Sequence, residues 1–378
     1  MKFFLRLPFI LLIAMNAEIY AENFSIHRGI NISHYLSQSN KRGDARASFI
    51  QQEDIQFIKA QGFDHIRLPV DEEQLWDEQG GKEAEAFKLL HQTLAWCGQA
   101  DLRVIVDLHT LRSHHFNAAH DGKKNTLFNE ENAVLDFAGF WRDLSGELHA
   151  YPLDFLAYEI LNEPVADDSA DWNRVVNRLL QEVRKTEKDR WVVIGANRWQ
   201  SVFKVDELVL PEEDRRIILS FHFYLPMVLT HYRASWSPVG EYDGPVHYPG
   251  VAVLEEDAEQ FRTKPGFEEF VIDDAGKIYN RDVLESKLTR AIAFSKKTGR
   301  PLYCGEFGCY TKAPKPDHLR WTRDFISILD KHGIPWTKWD YKGGFAIRNH
   351  SSGKVKTDLR DALFQIPPQK KSPPQPAP

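Results

Sequence analysis

The sequence predicts a (β/α)8 TIM barrel, an α/β fold in which eight parallel strands form a closed cylinder inside a ring of helices. Three observations predict it. From about residue 27 onward, short apolar runs alternate with longer amphipathic ones, the pattern of repeated βα units. Several short runs are apolar on both faces, among them Val104-Ile105-Val106 and Val192-Val193-Ile194, as strands covered on both sides must be. A doubly wound open sheet shares this alternation, but it ordinarily carries a glycine-rich phosphate loop after an early strand, and none is present.

In chain order the strand candidates are His27–Ser33, His65–Pro69, Arg103–His109, Leu156–Leu161, Trp191–Gly195, Ile217–Phe223, Leu302–Glu306 and Trp336–Trp339. A helix after the first is expected to end in Ile55, Ile58 and Lys59, because Gly62 just beyond supplies a left-handed stop. Helical spacing of apolar residues returns from Glu131 through Phe137, Phe140 and Leu144, and again from Trp172 through Val176 and Leu180. The connection after the sixth strand breaks the pattern. About fifty residues precede a helix starting near Asp282, well beyond ordinary loop length. This long insertion between the sixth strand and sixth helix, around 226–281, carries Tyr232, Trp236, Tyr242 and Tyr248. It is expected to fold over a cleft and shape substrate choice. Within it, Val271–Tyr279 alternates around Asp-Ala-Gly and reads as a short hairpin.

The two ends read differently from the body. Lys2 and Arg6 precede an apolar run, Leu7 to Ala14, and small or polar residues follow up to Ala21. That is the pattern of a signal peptide, cleaved after Ala17 or Ala21, and the run is too short to anchor in a bilayer. Residues 1–21 are therefore set apart as a signal peptide, 22–366 as one barrel domain, and 367–378, rich in Pro, Lys and Gln, as a disordered tail. A secreted or periplasmic protein is expected, monomeric and without a membrane partner. A net charge of -6 leaves no basic footprint for nucleic acid. Cys97, Cys304 and Cys309 are an odd number in no zinc-like spacing, so buried free thiols are expected. Ten tryptophans, twelve tyrosines and twenty-four phenylalanines suit first a large core, since aromatics are core residues before anything else, and only second a cleft whose aromatic faces stack on sugar rings.

Chemistry collects at the strand ends. Arg67 ends the second strand, His109 the third, and Asn162-Glu163-Pro164 the fourth. His222 and Tyr224 close the sixth, Glu306 the seventh and Trp339 the eighth. In a (β/α)8 barrel all of these face one pocket at the C-terminal mouth. Two glutamates in one pocket meet the requirement of glycosidic cleavage: one protonated to donate to the leaving oxygen, one ionised to attack the anomeric carbon. Mutual repulsion and a nearby cation push their pKa values apart. With Arg67 beside it and Tyr224 donating to it, Glu306 suits the nucleophile. Glu163 is then the acid/base, and Asn162 is placed to contact the sugar's 2-hydroxyl.

This set of residues resembles glycoside hydrolase family 5, in the retaining clan of (β/α)8 barrels. The resemblance is carried by Arg67 in His-Ile-Arg-Leu-Pro, His109 in Val-Asp-Leu-His and Asn162-Glu163 in Glu-Ile-Leu-Asn-Glu-Pro. It continues with His222 and Tyr224 in Ser-Phe-His-Phe-Tyr, Glu306 in Cys-Gly-Glu-Phe-Gly and Trp339 in Thr-Lys-Trp-Asp-Tyr, and spans about 26 to 364. It implies Glu163 as acid/base and Glu306 as nucleophile in a retaining mechanism, with the carboxyl groups roughly 5–5.5 Å apart. It further implies that His222 and Tyr224 orient the sugar and nucleophile, Trp339 forms the stacking floor, and His109 and Asn162 hold hydroxyls.

Beyond these positions, Trp199 in Ala-Asn-Arg-Trp is a second stacking candidate, and His114 or His115 in the third loop a hydroxyl-binding one. His109, His114, His115 and His120 lack a recognisable metal-ligand pattern, so neither metal nor cofactor is expected. The expected substrate is a β-linked polysaccharide or oligosaccharide, and the expected activity that of a cellulase-like endo-β-1,4-glucanase. A β-mannanase or an exo-β-1,3-glucanase uses the same chemistry, and a catalytically silent carbohydrate-binding protein is the alternative of another class.

Overall fold

The apolar runs become strands with both faces buried, and each pairs in parallel with its neighbours in sequence. A computed structural model describes residues 24–117, 125–237, 239–263 and 271–367. The strands are β1 (Arg28–Asn31), β2 (His65–Asp71), β3 (Arg103–Thr110), β4 (Leu156–Glu159), β5 (Val192–Gly195), β6 (Ile217–Phe223), β7 (Leu302–Phe307) and β8 (Trp336–Lys338). β8 closes on β1, with Arg28 opposite Trp336, so the sheet is the predicted closed barrel. The expected signal peptide, and the expected tail beyond Pro367, lie outside the described residues.

Side chains of a strand alternate between faces, so the barrel interior is read every second residue. On β3 the inward series is Ile105, Asp107, His109, and on β4 it is Ala157, Glu159. Ile105 and Ala157 join Phe24, Trp191, Val193, Ile218 and Tyr303 in a separate apolar cluster that floors the barrel. The polar members lie above that floor, toward the C-terminal mouth. The larger core lies outside the strands, between sheet and helices, and includes Val104, Val106, Phe137, Leu179, Ile326 and Leu329.

The outer ring comprises α1 (Gln52–Ala60), α2 (Ala84–Gln99), α3 (Glu131–Leu148), α4 (Ser169–Arg184), α5 (Arg281–Lys287), α6 (Thr289–Thr298), α7 (Lys315–His332) and α8 (Thr357–Leu363). Gly62, at φ 97°, stops α1 as its sequence position predicted. Three helices are pinned to the mouth by indole donors. Trp141, Trp172 and Trp321 donate to the carbonyls of Ile160, Gly195 and Leu225, each at 2.9 Å. Much of the tryptophan content is thus structural, buried and hydrogen-bonded.

Two expectations are corrected here. The strict alternation of strand and helix fails between β5 and β6, where the longest helical pieces are Asn197–Gln200 and the 3-10 turn Val205–Glu207. α6 covers that side instead, its Arg290 clamping Asp206 through contacts of 2.8–3.0 Å. Nor is Val271–Tyr279 a hairpin. Ile278–Tyr279 pairs antiparallel with Gly250–Val251, and Ala275 bridges Val253. The Tyr279 hydroxyl donates to Asp274 at 2.7 Å, which folds the intended turn onto its own strand and leaves the edge free for 250–253. Cys97, Cys304 and Cys309 are buried and free, as expected.

Candidate active site

Arg67 organises the mouth. It is fully buried at the centre of β2 and spends all of its donor nitrogens on inward-facing acceptors. Nε donates to Glu159 at 2.6 Å, Nη1 to Glu306 at 2.7 Å and Asn31 at 3.0 Å. Nη2 donates to Asn162 at 2.8 Å and Glu159 at 3.1 Å, and stands 3.0 Å from Asp107. One planar cation therefore ties β1, β2, β3, β4 and β7 at a single level.

Glu306 reaches that level through an irregularity. β6 and β7 pair Phe221 with Cys304, then His222 with Glu306, so β7 advances two residues for one. Such a bulge re-aims a side chain. It sets Glu306 inward, with Tyr224 donating to its second oxygen at 2.9 Å. Glu163 follows β4 in a loop at φ 44°, a left-handed conformation unusual for a side chain of its size. His222 Nδ1 shares a proton with Glu163 Oε1 at 2.8 Å and lies 3.6 Å from Glu306. An oxygen of Glu163 and one of Glu306 lie within 4.8 Å of each other.

Burial pushes both carboxyl groups up, but their neighbours differ. Arg67 and the Tyr224 hydroxyl pull Glu306 back down. Glu163 is raised further by the charge of Glu306, and Arg67 opposes that only from a distance. Glu306 therefore loses its proton first. Burial, then Arg67, holds His222 and His109 well below the usual imidazole range, so both rings are neutral.

The acid pair opens into a cleft of about 1030 Å³. Trp339 lies along it, its ring parallel to His109 at 5.7 Å, and Asp107 fixes His109 through Nδ1 at 2.7 Å. Trp199 also lines the cleft, 40% exposed, its indole nitrogen donating to the carbonyl of Phe116 at 2.9 Å. Arg67, Glu163, Glu306, His109, Asn162, His222, Tyr224, Trp339, Trp199 and His115 are thus gathered at one mouth, although Arg67 does not end its strand as expected, since β2 runs on to Asp71.

His114 is not among them. It is buried, its ring edge-on to Phe128 at 5.5 Å, because the tight turn pairing Leu111 with His114 directs it into the core. His120 lies outside the described residues. Of Tyr232, Trp236, Tyr242 and Tyr248, the aromatic residues singled out in the insertion, Trp236 alone lines the cleft, packed against Tyr310. Tyr242 is buried within the insertion and the Tyr232 hydroxyl donates to the Asp243 carbonyl, so these two shape the insertion's own packing. The buried Tyr248 instead donates its hydroxyl to Asp324 of α7 at 2.8 Å and ties the insertion to the outer ring.

Sequence reasoning missed Asn31, Asp107, Glu159 and Gln200. Asp107 was within reach, since it precedes His109 by two and must share its face. Glu159, a charge within the apolar run of β4, was legible by the same alternation, and Gln200 carried no such signal. Glu163, His222 and Glu306 also form the one group of metal-ligating type among the described residues. The guanidinium 2.7 Å from Glu306 works against a cation there.

Two buried carboxyl groups, unequally charged and facing an aromatic-walled cleft at a (β/α)8 mouth, are the equipment of a glycoside hydrolase. The chain belongs to glycosyl hydrolase family 5: the model of that family's cellulases matches residues 26–344. It is 32% identical over 348 residues to Endoglucanase C of Acetivibrio thermocellus, covering 90% of this chain and 98% of that protein. It is 25% identical over 311 residues to Cellodextrinase A of Ruminococcus flavefaciens, covering 82% and 83%. The crystal structure of endoglucanase Cel5A from Thermotoga maritima superposes with a TM-score of 0.70 at 25% identity, covering 89% of this chain and 96% of that one.

Proposed function

We propose that this chain is an exported endo-β-1,4-glucanase that works by double displacement, with Glu306 as nucleophile and Glu163 as acid/base. The observation that carries this reading is the asymmetry of the acid pair. Two donors, Arg67 and Tyr224, favour the anion of Glu306 against its burial, and among the described residues no cation touches Glu163. The oxygen separation within 4.8 Å suits direct attack, since an inverting pair leaves room for a water. The choice of β-1,4-glucan draws on the relatives called endoglucanase, and export on the charged and apolar run from Lys2 to Ala21.

In the first half-reaction Glu306 attacks the anomeric carbon as Glu163 protonates the departing oxygen. In the second, Glu163 takes a proton from water, which displaces Glu306 with net retention. Trp339 floors the reacting sugar, the Asn162 amide reaches its 2-hydroxyl, and His109 and His115 meet other hydroxyls. His222 steadies Glu163, and Trp199 stacks on a neighbouring ring. The rate climbs with pH as Glu306 ionises and falls as the higher-titrating Glu163 does, giving a bell.

Glu163→Ala is expected to lose on the order of 10²–10⁴-fold in kcat/KM on cello-oligosaccharides, the share general acid catalysis supplies. On 2,4-dinitrophenyl cellobioside, whose leaving group needs no proton, the loss stays within about 10-fold. Equal losses on both substrates would refute Glu163 as the acid.

Reducing-sugar release, with product lengths, from carboxymethylcellulose, lichenan, laminarin, mannan and xyloglucan tests the substrate. Internal cuts in carboxymethylcellulose are expected. Preference for mannan, or stepwise release from laminarin, would replace the glucanase reading, and silence on a folded protein would favour a binding role.

A further inference from the structure

Three consecutive residues beside the acid pair, Arg198, Trp199 and Gln200, hold left-handed backbone angles, with φ of 57°, 59° and 51°. Each such angle is strained in a residue with a side chain, so a run of three persists only where surrounding contacts fix it. The contacts that fix it centre on Gln200. This side chain is fully buried and uses both ends of its amide. Its oxygen accepts from the backbone N–H of Glu163 at 2.9 Å, and its nitrogen donates to Glu159 at 3.1 Å and to Ser220 at 2.9 Å. β5 makes room for it by ending in Gly195, where a Cβ would stand 2.2 Å from the Gln200 side chain.

These bonds complete a chain. Glu306 binds Arg67, Arg67 binds Glu159, Glu159 binds Gln200, and Gln200 binds the backbone of Glu163, which is itself left-handed at φ 44°. Gln200 is thus the link through which the nucleophile's anchor also sets the backbone of the second glutamate.

We propose that Gln200 is a positioning residue for the acid/base: it holds the strained backbone of Glu163 so that its carboxyl meets the departing oxygen. This inference rests on the reading of Glu163 as the acid. Gln200 touches no substrate, and its effect passes entirely through Glu163. A displacement of about 1 Å in a reacting group costs on the order of 10²-fold in rate.

The test compares wild type, Gln200→Met and Gln200→Ala on cellotetraose and on 2,4-dinitrophenyl cellobioside, with Glu163→Ala in parallel and circular dichroism to confirm folding. Gln200→Met keeps the length of the side chain and removes its donors and acceptor, so it guards against simple collapse of the site. Both variants are expected to lose about 10²-fold in kcat/KM on cellotetraose and less than about 5-fold on the activated substrate. Equal losses on the two substrates, alongside a clear split in Glu163→Ala, would overturn the positioning role and leave the acid assignment standing. No split in Glu163→Ala would overturn both.

Discussion

Glu306→Gln is expected to reduce kcat on cello-oligosaccharides by about 10⁴-fold or more, the scale of loss when a covalent nucleophile is removed. The fold should survive, because the amide can keep both contacts. Its oxygen accepts from Arg67 as the carboxylate did, and its nitrogen donates to the Tyr224 oxygen. Arg67 retains Glu159 and Asp107 as partners, so no cation is stranded. Loss of the Glu306 charge also removes a repulsion that raises Glu163, which should therefore titrate lower in the variant. Steady-state kinetics with a thermal melt checks both halves. Activity near wild type would reject Glu306 as nucleophile, and a melt lowered by tens of degrees would mean the carboxylate serves the fold.

Arg67→Met is expected to give the largest loss of stability, about 3–5 kcal/mol, the cost of leaving buried charges without their partner. Asp107 and Glu159 share that one guanidinium in a fully buried layer. Burial already raises Asp107 to about 7 even with Arg67 attracting its anion, and raises Glu159 as well. Without Arg67 both titrate higher still. A carboxyl group raised in the fold binds more protons there than in the unfolded chain, so stability is full below about pH 4 and drains as pH climbs toward the folded value. The deficit should be larger at pH 8 than at pH 5. Chemical denaturation at the two pH values measures it, and a deficit below about 1 kcal/mol at both would show that the layer does not depend on its cation.

The barrel was legible because its strands announce themselves. Runs such as Val104-Ile105-Val106 must be covered on both sides, and their spacing leaves room for helices between them. The missing helix between β5 and β6 was not legible, because Trp199 to Leu210 contains enough apolar residues to suggest packing without saying against what. The acid pair was legible for a similar reason: a charged residue closing an apolar strand has nowhere to go but the barrel mouth. His114 misled because its neighbours His109 and His115 both reach the cleft, and only the turn at Leu111 decides that it does not. Gln200 stayed hidden because three left-handed residues place it, and no sequence pattern announces a strained turn held by long-range contacts.

The layer around Arg67 is lopsided in sign. Asp107, Glu159 and Glu306 crowd about a single guanidinium, and His109 and His222, held neutral by burial, add no positive charge. A sugar whose glycosidic bond is breaking becomes a transient cation, with charge spread over the ring oxygen and anomeric carbon. The barrel is therefore a socket of the opposite polarity, built before the sugar arrives and paid for in folding. It favours the fleeting cation over the neutral ring that precedes it, which is the condition for lowering a barrier instead of merely tightening a grip.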